Sequence, residues 1–361
     1  MGVLTLLSLA DKNKASCCPI VENILEEFKK FLSEPRNLLI LSHKNPDGDA
    51  VGSALGFKHI LTAMGHTVTA AVPDAAPGFL KWLPGHKDLI IFERKNGKKA
   101  AAEAFRTADM IICVDFNSPD RLGDLECLFR AGTSPTLLID HHPPQEQFTD
   151  MTRIDPTRGS TAELIYLMAV SLEMEAMISP DAATCLLAGI MTDTVGFKVS
   201  CSYPEIFETV ASLMRLGGNK DRIYEEVYGQ FSSDRMRLLG YSLVQKMKII
   251  PGTGAAYIDL TRAELKQFNH KKGDTEGFVN YPLSIGEVIF SVLFTEQEDH
   301  IKLSLRSTGN FPANEFASRY FNGGGHLNAA GGRFFGNMEQ ALKHFEGAVE
   351  IYQGLLTNSK S

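Results

Sequence analysis

The chain has 361 residues, a length that can accommodate two domains of ordinary size, each with its own hydrophobic core. Hydrophobic residues make up 44% of the chain and charged residues 22%, which is typical of a soluble globular protein. The formal net charge is −7, so no general positive field is available, and this argues against long duplex nucleic acid as the main ligand. A short anionic substrate, held by a few local cations or by metal ions, is compatible with this composition.

The first 20 residues are predicted to be a leader, followed by a helix over residues 19–32. No basic stretch precedes the apolar part of this leader, as a signal peptide would require. No apolar run approaches the ~20 residues of a membrane span. None of the six cysteines forms a C-x-x-C pair, which favours reduced thiols. We therefore expect a cytoplasmic protein without membrane contacts.

Short apolar runs alternate with helical stretches over the next part of the chain. The runs cover residues 38–42, 67–72, 110–114 and 136–139. Helical spacing of apolar residues covers 50–64, 161–170 and 181–191. Because the runs are continuously apolar, they predict strands covered on both faces, and hence a parallel α/β sheet.

The pattern changes after about residue 217. Residues 219–249 have helical character with an interruption near 232–234. Strand-like segments, the Gly-rich segment FNGGGHLNAAGG and a final helix over 338–355 follow. We predict a catalytic domain over 21–218, a helical linker over 219–235 and a smaller α+β domain over 236–361.

Acidic and histidine side chains follow the predicted strands at their carboxyl ends. His43 comes after LLILS, Asp115 ends MIICVD, and Asp140 ends TLLID. Ligands of open α/β sheets bind beyond these strand ends. One edge of the sheet is thus expected to gather Asp47, Asp49, Asp115, Asp140, Asp193, His43, His141 and His142. Carboxylates this close repel one another, and divalent cations are the simplest compensation.

Several of these residues also have an ordinary structural interpretation. The NPDGD segment is a typical turn, Asp49 and Asp193 are suited to helix caps, and Asp115 is suited to a turn. Two adjacent histidines, His141 and His142, at a strand end have no packing explanation. Taken together, the residues favour a metal centre, with two ions about 3.5–4 Å apart acting in phosphoryl transfer.

The spacing of H-x-N-P-D-G-D-A-x-G-S, a strand-ending VD, IDHH and TDT resembles that of the DHH phosphoesterase superfamily. The superfamily includes RecJ-like exonucleases, manganese-dependent inorganic pyrophosphatases and small DHH-DHHA1 oligoribonucleases. GGGH followed by AAGG resembles the DHHA1 signature, so the resemblance spans about residues 37–333. It implies a parallel-sheet α/β DHH domain followed by a smaller α+β DHHA1 domain, with the active site in the cleft between them.

The resemblance also implies a role for each motif residue. The implied metal ligands are His43, Asp47, Asp49, Asp115, His141 and Asp193, and the implied catalytic group is Asp115, Asp140 and His142. Asp115 would bridge two cations, Asp140 would orient the histidines, and His142 would face the substrate phosphate. The cations implied are Mn²⁺, with Mg²⁺ as the alternative.

A second set of residues is implied to bind the substrate. It consists of Arg306, Ser307, Asn314, Gly323, Gly324, Gly325 and His326. A guanidinium group suits forked recognition of phosphate, and a glycine run lets backbone N–H groups approach an anion. Phe311 is interpreted as packing. Ser160, Thr161 and Glu163 match a family Ser/Thr pair followed by Glu, and we interpret them as capping a helix.

The function implied is hydrolysis of short oligoribonucleotides or linear dinucleotides to mononucleotides, with a phosphatase activity on phosphoadenosine phosphate as a possible addition. The alternatives are an inorganic pyrophosphatase or exopolyphosphatase, a cyclic-dinucleotide phosphodiesterase and, in a different class, a metal-free nucleotide sensor. The expected partners are short RNA or nucleotide bisphosphates, and a homodimer through the large domain agrees with the resemblance.

Overall fold

The computed structural model describes residues 19–358. The chain divides after residue 230 into two compact units, each with its own sheet and hydrophobic core. The predicted leader, residues 1–20, lies outside the described residues except for its last two. Within residues 19–358 no helix combines the length and the apolar character that crossing a membrane demands.

The first unit contains six strands and eight α-helices within the described residues. The strands are β1 (Asn37–Leu41), β2 (Thr67–Val72), β3 (Ile90–Ile91), β4 (Met110–Val114), β5 (Thr136–Asp140) and β6 (Met151–Ile154). The helices are α1 (Pro19–Phe31), α2 (Gly48–Ala63), α3 (Gly97–Thr107), α4 (Glu126–Ala131), α5 (Thr161–Ser171), α6 (Pro180–Asp193), α7 (Pro204–Arg215) and α8 (Lys220–Tyr224). The strands form one parallel sheet in the order β3-β2-β1-β4-β5-β6.

Both faces of this sheet are buried, as the continuous apolar runs predicted. Along β1, Leu38 and Ile40 join the core on one face, and Leu39 and Leu41 join a second core on the other. The sheet therefore lies between two layers of helices, and its strands point their carboxyl ends toward a common edge.

Helices α2 and α6 pack at unusually close range, and glycine makes this possible. A Cβ atom at Gly52 would lie 2.5 Å from the carbonyl oxygen of Cys185 and 2.8 Å from the backbone nitrogen of Gly189. A Cβ at Gly48 would overlap the side chain of Thr192. The glycines after the NPD turn thus bring α2 against the helix that ends at Asp193.

The second unit begins with α9 (Ser233–Tyr241) and contains a mixed sheet. The strands are β7 (Met247–Ile250), β8 (Ala255–Leu260), β9 (Phe290–Glu296), β10 (Ile301–Ser307), β11 (Gly324–His326) and β12 (Ala329–Phe334), and the remaining helices are α10 (Arg262–Gln267), α11 (Ala313–Tyr320) and α12 (Met338–Asn358). The order is β11-β12-β10-β9-β8-β7. Among the described pairings of this second sheet, only β8–β9 is parallel. The predicted succession of a parallel α/β domain and an α+β domain is confirmed.

The Gly-rich segment, for which the sequence analysis assigned no secondary structure, forms β11 and the start of β12. Glycine has no side chain, so these strands show no alternation of apolar and polar residues. The short strands β3 and β6 were also not predicted. β3 has only two residues, which is too short for a recognisable run, and the sequence of β6, MTRI, is not continuously apolar. The predicted helical stretch over 219–249 contains α8, α9, and two five-residue π-helical turns at 225–229 and 242–246, and ends in β7.

We expect the Gly52→Ala variant to be less stable by about 1–3 kcal/mol, because the added methyl group meets rigid backbone of α6. Thermal unfolding should show a midpoint lower by about 2–4 °C for each kcal/mol. Gly347→Ala is the control, since among the described residues a Cβ at Gly347 meets no atom within 4 Å outside its own helix. An unchanged midpoint in Gly52→Ala would contradict the close packing of α2 and α6.

Candidate metal centre

The NPDGD segment forms a tight turn that also caps α2. Asn45 has a φ of 53°, in the left-handed region, and its N–H donates to the carboxylate of Asp74. The side chain of Asp47 accepts hydrogen bonds from the N–H groups of Asp49 and Ala50, both at 3.1 Å. The turn interpretation of the sequence is therefore confirmed. The cap interpretations were wrong, because the cap of α2 is Asp47, Asp49 lies in the first turn of the helix, and Asp193 is the last residue of α6.

His43, Asp47 and Asp115 form the first group of possible metal ligands, with ligand atoms within 4.8 Å of one another. His43 Nε2 lies 3.4 Å from Asp115 Oδ2. His43 Nδ1 lies 2.8 Å from the carbonyl oxygen of Lys44. Since a carbonyl oxygen can only accept, Nδ1 carries a proton and Nε2 is the ring nitrogen that faces the carboxylates.

Asp49, His141 and Asp193 form the second group, again within 4.8 Å. His141 Nε2 lies 3.4 Å from Asp193 Oδ2 and 4.0 Å from Asp49 Oδ2. The Nδ1 atom of His141 donates to the carbonyl oxygen of Arg158 at 3.2 Å. Nδ1 therefore carries a proton, and Nε2 is the ring nitrogen directed into the cluster.

Asp115 lies between the two groups. Its Oδ2 atom faces His43, and its Oδ1 atom lies 3.7 Å from His141 Nε2. The residue has a φ of 68°, a left-handed conformation that costs roughly 1–3 kcal/mol and that collects at functional sites. One carboxylate thus presents an oxygen to each group.

A third group consists of Asp115, Asp140 and His142. Asp140 is fully buried, and its Oδ1 atom lies 2.7 Å from His142 Nδ1 and accepts the backbone N–H of His142 at 3.2 Å. The ring of His142 is one quarter exposed, whereas that of His141 is 7% exposed. Asp140 therefore fixes the orientation of the more accessible histidine.

The cluster is electrostatically strained without cations. Burial raises the pKa of Asp115 well above its ordinary value, and the charges of Asp49 and Asp47 raise it further. Burial also raises the pKa of Asp49. Burial alone would lower the pKa of His141, but the surrounding carboxylates, Asp193 foremost, raise it to about 9.

The donor set fits divalent cations. Carboxylate oxygens and imidazole Nε2 lone pairs converge from separate elements, and this combination suits manganese, zinc or iron. In the part of the chain that the structure describes, no lysine or arginine forms an ion pair with Asp49 or Asp115. Metal ions would supply the positive charge that no lysine or arginine supplies to these two carboxylates.

The N-terminus of α5 contributes contacts that the sequence did not reveal. The N–H groups of Thr161 and Ala162 donate to Asp49 at 2.7 and 3.0 Å, and the Thr161 hydroxyl donates to Asp115 Oδ1 at 2.9 Å. The predicted cap is confirmed, since the Ser160 side chain accepts the N–H of Glu163. The S-T-x-E pattern therefore locates this helix start without revealing its contacts with the acidic cluster.

In the second unit, Arg306 and His326 share one face of the sheet. Ala329 in β12 pairs with Arg306 in β10 on one side and with His326 in β11 on the other. Residues directly opposite on antiparallel strands point to the same face. The small side chain of Ala329 therefore separates a guanidinium group from an imidazole.

The other predicted substrate-binding residues have structural surroundings of their own. Ser307 is buried, donates to the carbonyl oxygen of Phe311 and accepts from Asn328. Among the described residues, Asn314 Oδ1 is buried without a hydrogen-bond partner. The expectation that Phe311 serves packing is confirmed, since the residue is fully buried.

The three predicted glycines differ in their surroundings. A Cβ at Gly323 or Gly325 would overlap the carbonyl oxygens of Gly331 or Ala329. These two glycines are therefore required by the β11–β12 region itself. A Cβ at Gly324 meets no described atom within 4 Å, so this position is open.

Family models and relatives agree with these features. The model of the N-terminal domain of the DHH family matches residues 37–190, and the DHHA1 domain model matches residues 254–350. The bifunctional oligoribonuclease and PAP phosphatase NrnA of Thermus thermophilus is 27% identical over 329 residues, which cover 90% of this chain and 92% of that protein.

Solved structures show the same relationship. An exopolyphosphatase-related protein from Bacteroides fragilis is 41% identical, with a TM-score of 0.90, and the match covers 95% of this chain and 100% of that one. RecJ from Thermus thermophilus, in complex with Mn²⁺, is 15% identical with a TM-score of 0.52, covers 94% of this chain and 55% of its own, and shares the fold. The chain therefore belongs to the DHH family and carries a DHHA1 domain after its DHH domain, as its sequence predicted.

Proposed function

We propose that the protein is a divalent-metal-dependent phosphoesterase that hydrolyses short oligoribonucleotides or linear dinucleotides to mononucleotides. The observation that carries this proposal is Asp115, whose two carboxylate oxygens face two separate groups of metal-ligand side chains. A paired site of this kind suits in-line displacement at phosphorus. The relative named an oligoribonuclease and PAP phosphatase, which matches almost the whole chain, supports this substrate class and a second activity on phosphoadenosine phosphate.

Two divalent cations are proposed, with Mn²⁺ preferred to Mg²⁺ because imidazole nitrogen is among the donors. The first cation is assigned to His43 and Asp47, the second to Asp49, His141 and Asp193, and Asp115 is assigned to both. When bound, the cations supply Lewis-acid polarisation of the phosphate and lower the pKa of the water that attacks it.

His142 is assigned as the acid of the reaction. Hydrolysis joins a water oxygen to phosphorus and breaks the bond to the leaving sugar oxygen, which takes up a proton. The Asp140 carboxylate, 2.7 Å from His142 Nδ1, orients the ring, whose Nε2–H is assigned to donate to that oxygen. The one-quarter exposure of the His142 ring agrees with a group that meets substrate.

The substrate-binding residues are proposed to lie in the second unit, with Arg306 and His326 as the principal contacts. Both residues lie on the same face of the sheet, on either side of Ala329, whose side chain is small. The guanidinium group offers a fork of N–H donors to a phosphate. Gly324 has no side chain and open space beside it, so a phosphate can approach its backbone. Ser307 supports this surface through its bond to the loop at Phe311.

Product analysis tests the substrate class. The purified protein with Mn²⁺ should release AMP from pApA faster than phosphate from phosphoadenosine phosphate or from pyrophosphate. The Asp115→Asn variant should lose at least ~100-fold in kcat, since several kcal/mol of metal-ion catalysis depend on this carboxylate. Asparagine is chosen because it tolerates the left-handed backbone at this position.

Asp221→Asn is the matched control for that experiment, because Asp221 is an exposed carboxylate whose side chain is 89% accessible. Its turnover should equal that of the wild type. Turnover of pyrophosphate without turnover of pApA would contradict the oligonucleotide assignment and would favour a pyrophosphatase or exopolyphosphatase.

The raised pKa of His141 predicts how stability depends on pH. The protonated ring stabilises the metal-free protein fully below about pH 6.5, and this contribution is lost as the pH rises through about 9. A cation must displace this proton from Nε2, so the apparent affinity for Mn²⁺ should rise with pH over the same range. Thermal unfolding at about pH 6.5 and about pH 8 should show a larger Mn²⁺-induced increase at the higher pH. A smaller increase there would contradict coordination by His141.

The Arg306→Lys variant tests the second unit. Lysine keeps the charge but cannot form the fork of two N–H donors, so KM for pApA should rise about tenfold, in line with roughly 1–2 kcal/mol for a charge-assisted bond. Arg319→Lys, in α11, is the control. Equal KM values for Arg306→Lys and wild type would contradict phosphate binding by Arg306.

A further inference from the structure

The two carboxylates nearest the centre of the cluster are both held by one residue, Thr161. Its backbone N–H donates to Asp49 Oδ2 at 2.7 Å, and its hydroxyl donates to Asp115 Oδ1 at 2.9 Å. Asp49 follows the turn after β1, and Asp115 follows β4. Thr161 therefore joins two carboxylates from separate segments, one at the start of α2 and one directly after β4.

We propose that Thr161 is a positioning residue that sets the separation between the Asp49 and Asp115 carboxylates, and through them the affinity of the second cation. The inference rests on the proposed metal centre. It assigns to the Thr161 hydroxyl a role distinct from the helix capping for which its position is suited.

The hydroxyl fixes the rotation of the Asp115 carboxylate. The terminal torsion of an aspartate is broad, so the carboxylate plane turns easily unless its oxygens are held. The bond from Thr161 keeps Oδ1 on the side of His141, at 3.7 Å from Nε2, while Oδ2 faces His43 at 3.4 Å. Without the hydroxyl, nothing from α5 would define which way this bridging carboxylate faces.

Thr161 is itself held rigidly. It is fully buried, and it is the first residue of α5, directly after the cap residue Ser160. Glu163, two residues later, accepts the N–H of Gly159 at 3.0 Å and the hydroxyl of Tyr203. Because these contacts fix the start of α5, Thr161 holds both carboxylates in defined positions.

Backbone groups on both sides of Thr161 also contact ligands assigned to the second cation. The carbonyl oxygen of Arg158 accepts from His141 Nδ1, and the N–H of Ala162 donates to Asp49 Oδ1 at 3.0 Å. The segment 158–162 thus holds two of the ligands assigned to the second cation, as well as the shared Asp115. A defect at Thr161 should therefore weaken the second site more than the first.

Three variants separate the hydroxyl from the packing of Thr161. Thr161→Val removes the hydroxyl with almost no change of shape and keeps the backbone N–H. Thr161→Ser keeps the hydroxyl and removes the methyl group. Thr184→Val is the control, a buried threonine near the other end of α6 from Asp193 whose hydroxyl bonds to the carbonyl oxygen of Pro180.

The readout is the binding of Mn²⁺, followed by the loss of the electron paramagnetic resonance signal of free Mn²⁺ during titration, with thermal unfolding recorded for each variant. Thr161→Val should bind the second Mn²⁺ about 10–100-fold more weakly, the usual effect of losing a partner of a metal ligand. Thr161→Ser and Thr184→Val should bind both ions as the wild type does. The Mn²⁺ concentration for half-maximal turnover of pApA should rise in parallel in Thr161→Val alone.

Two results would overturn the proposal. Wild-type Mn²⁺ affinity in Thr161→Val would show that the hydroxyl does not position Asp115. Weak binding in Thr161→Ser would show that the methyl group matters instead, and this result is decisive even if Thr161→Val does not fold. If the wild-type protein itself binds no Mn²⁺, it is the proposed metal centre that fails.

Discussion

The burial of two carboxylates, Asp49 and Asp115, is the constraint on which the rest of the first unit depends. Their side chains are 1% and 2% exposed, and burying such charges without compensation is costly. Among the described residues neither has a lysine or arginine partner. Burial raises the pKa of Asp115, and the negative charge of Asp49 raises it further. The fold accommodates them with hydrogen bonds from α5 and, in our proposal, with two divalent cations.

The sheet and the helix packing both bring the acidic residues together. The parallel sheet brings the residues after β1, β4 and β5 to one edge, and the close contact of α2 and α6 adds Asp193 to them. The α2–α6 contact also requires a glycine at position 189, because a Cβ atom on Gly189 would lie 2.8 Å from Asp49 Oδ1. For His43 and His141, backbone carbonyl groups hold Nδ1, so the chain path fixes the direction of each Nε2 atom. His142 differs, because its Nδ1 is held by the side chain of Asp140.

Much of this could be predicted from the sequence, and the limits have physical causes. The strands β1, β2, β4 and β5 were predicted because buried parallel strands are continuously apolar. The grouping of His43, Asp115 and His141 followed from the motif spacing. The carbonyl of Arg158 and the N–H groups of Thr161 and Ala162 could not be predicted, because backbone groups have no sequence signature. The left-handed φ of Asp115 was equally invisible, since it depends on the tertiary structure around it.

The most direct test of the account is to locate Mn²⁺ by anomalous diffraction from crystals grown with the ion. The account predicts two anomalous peaks, about 3.5–4 Å apart, with Asp115 between them. One peak should lie beside His43 and Asp47, and the other beside His141 and Asp193. A single peak remote from Asp115, or no peak within the cluster, would contradict the claim that these buried carboxylates exist to hold a pair of cations.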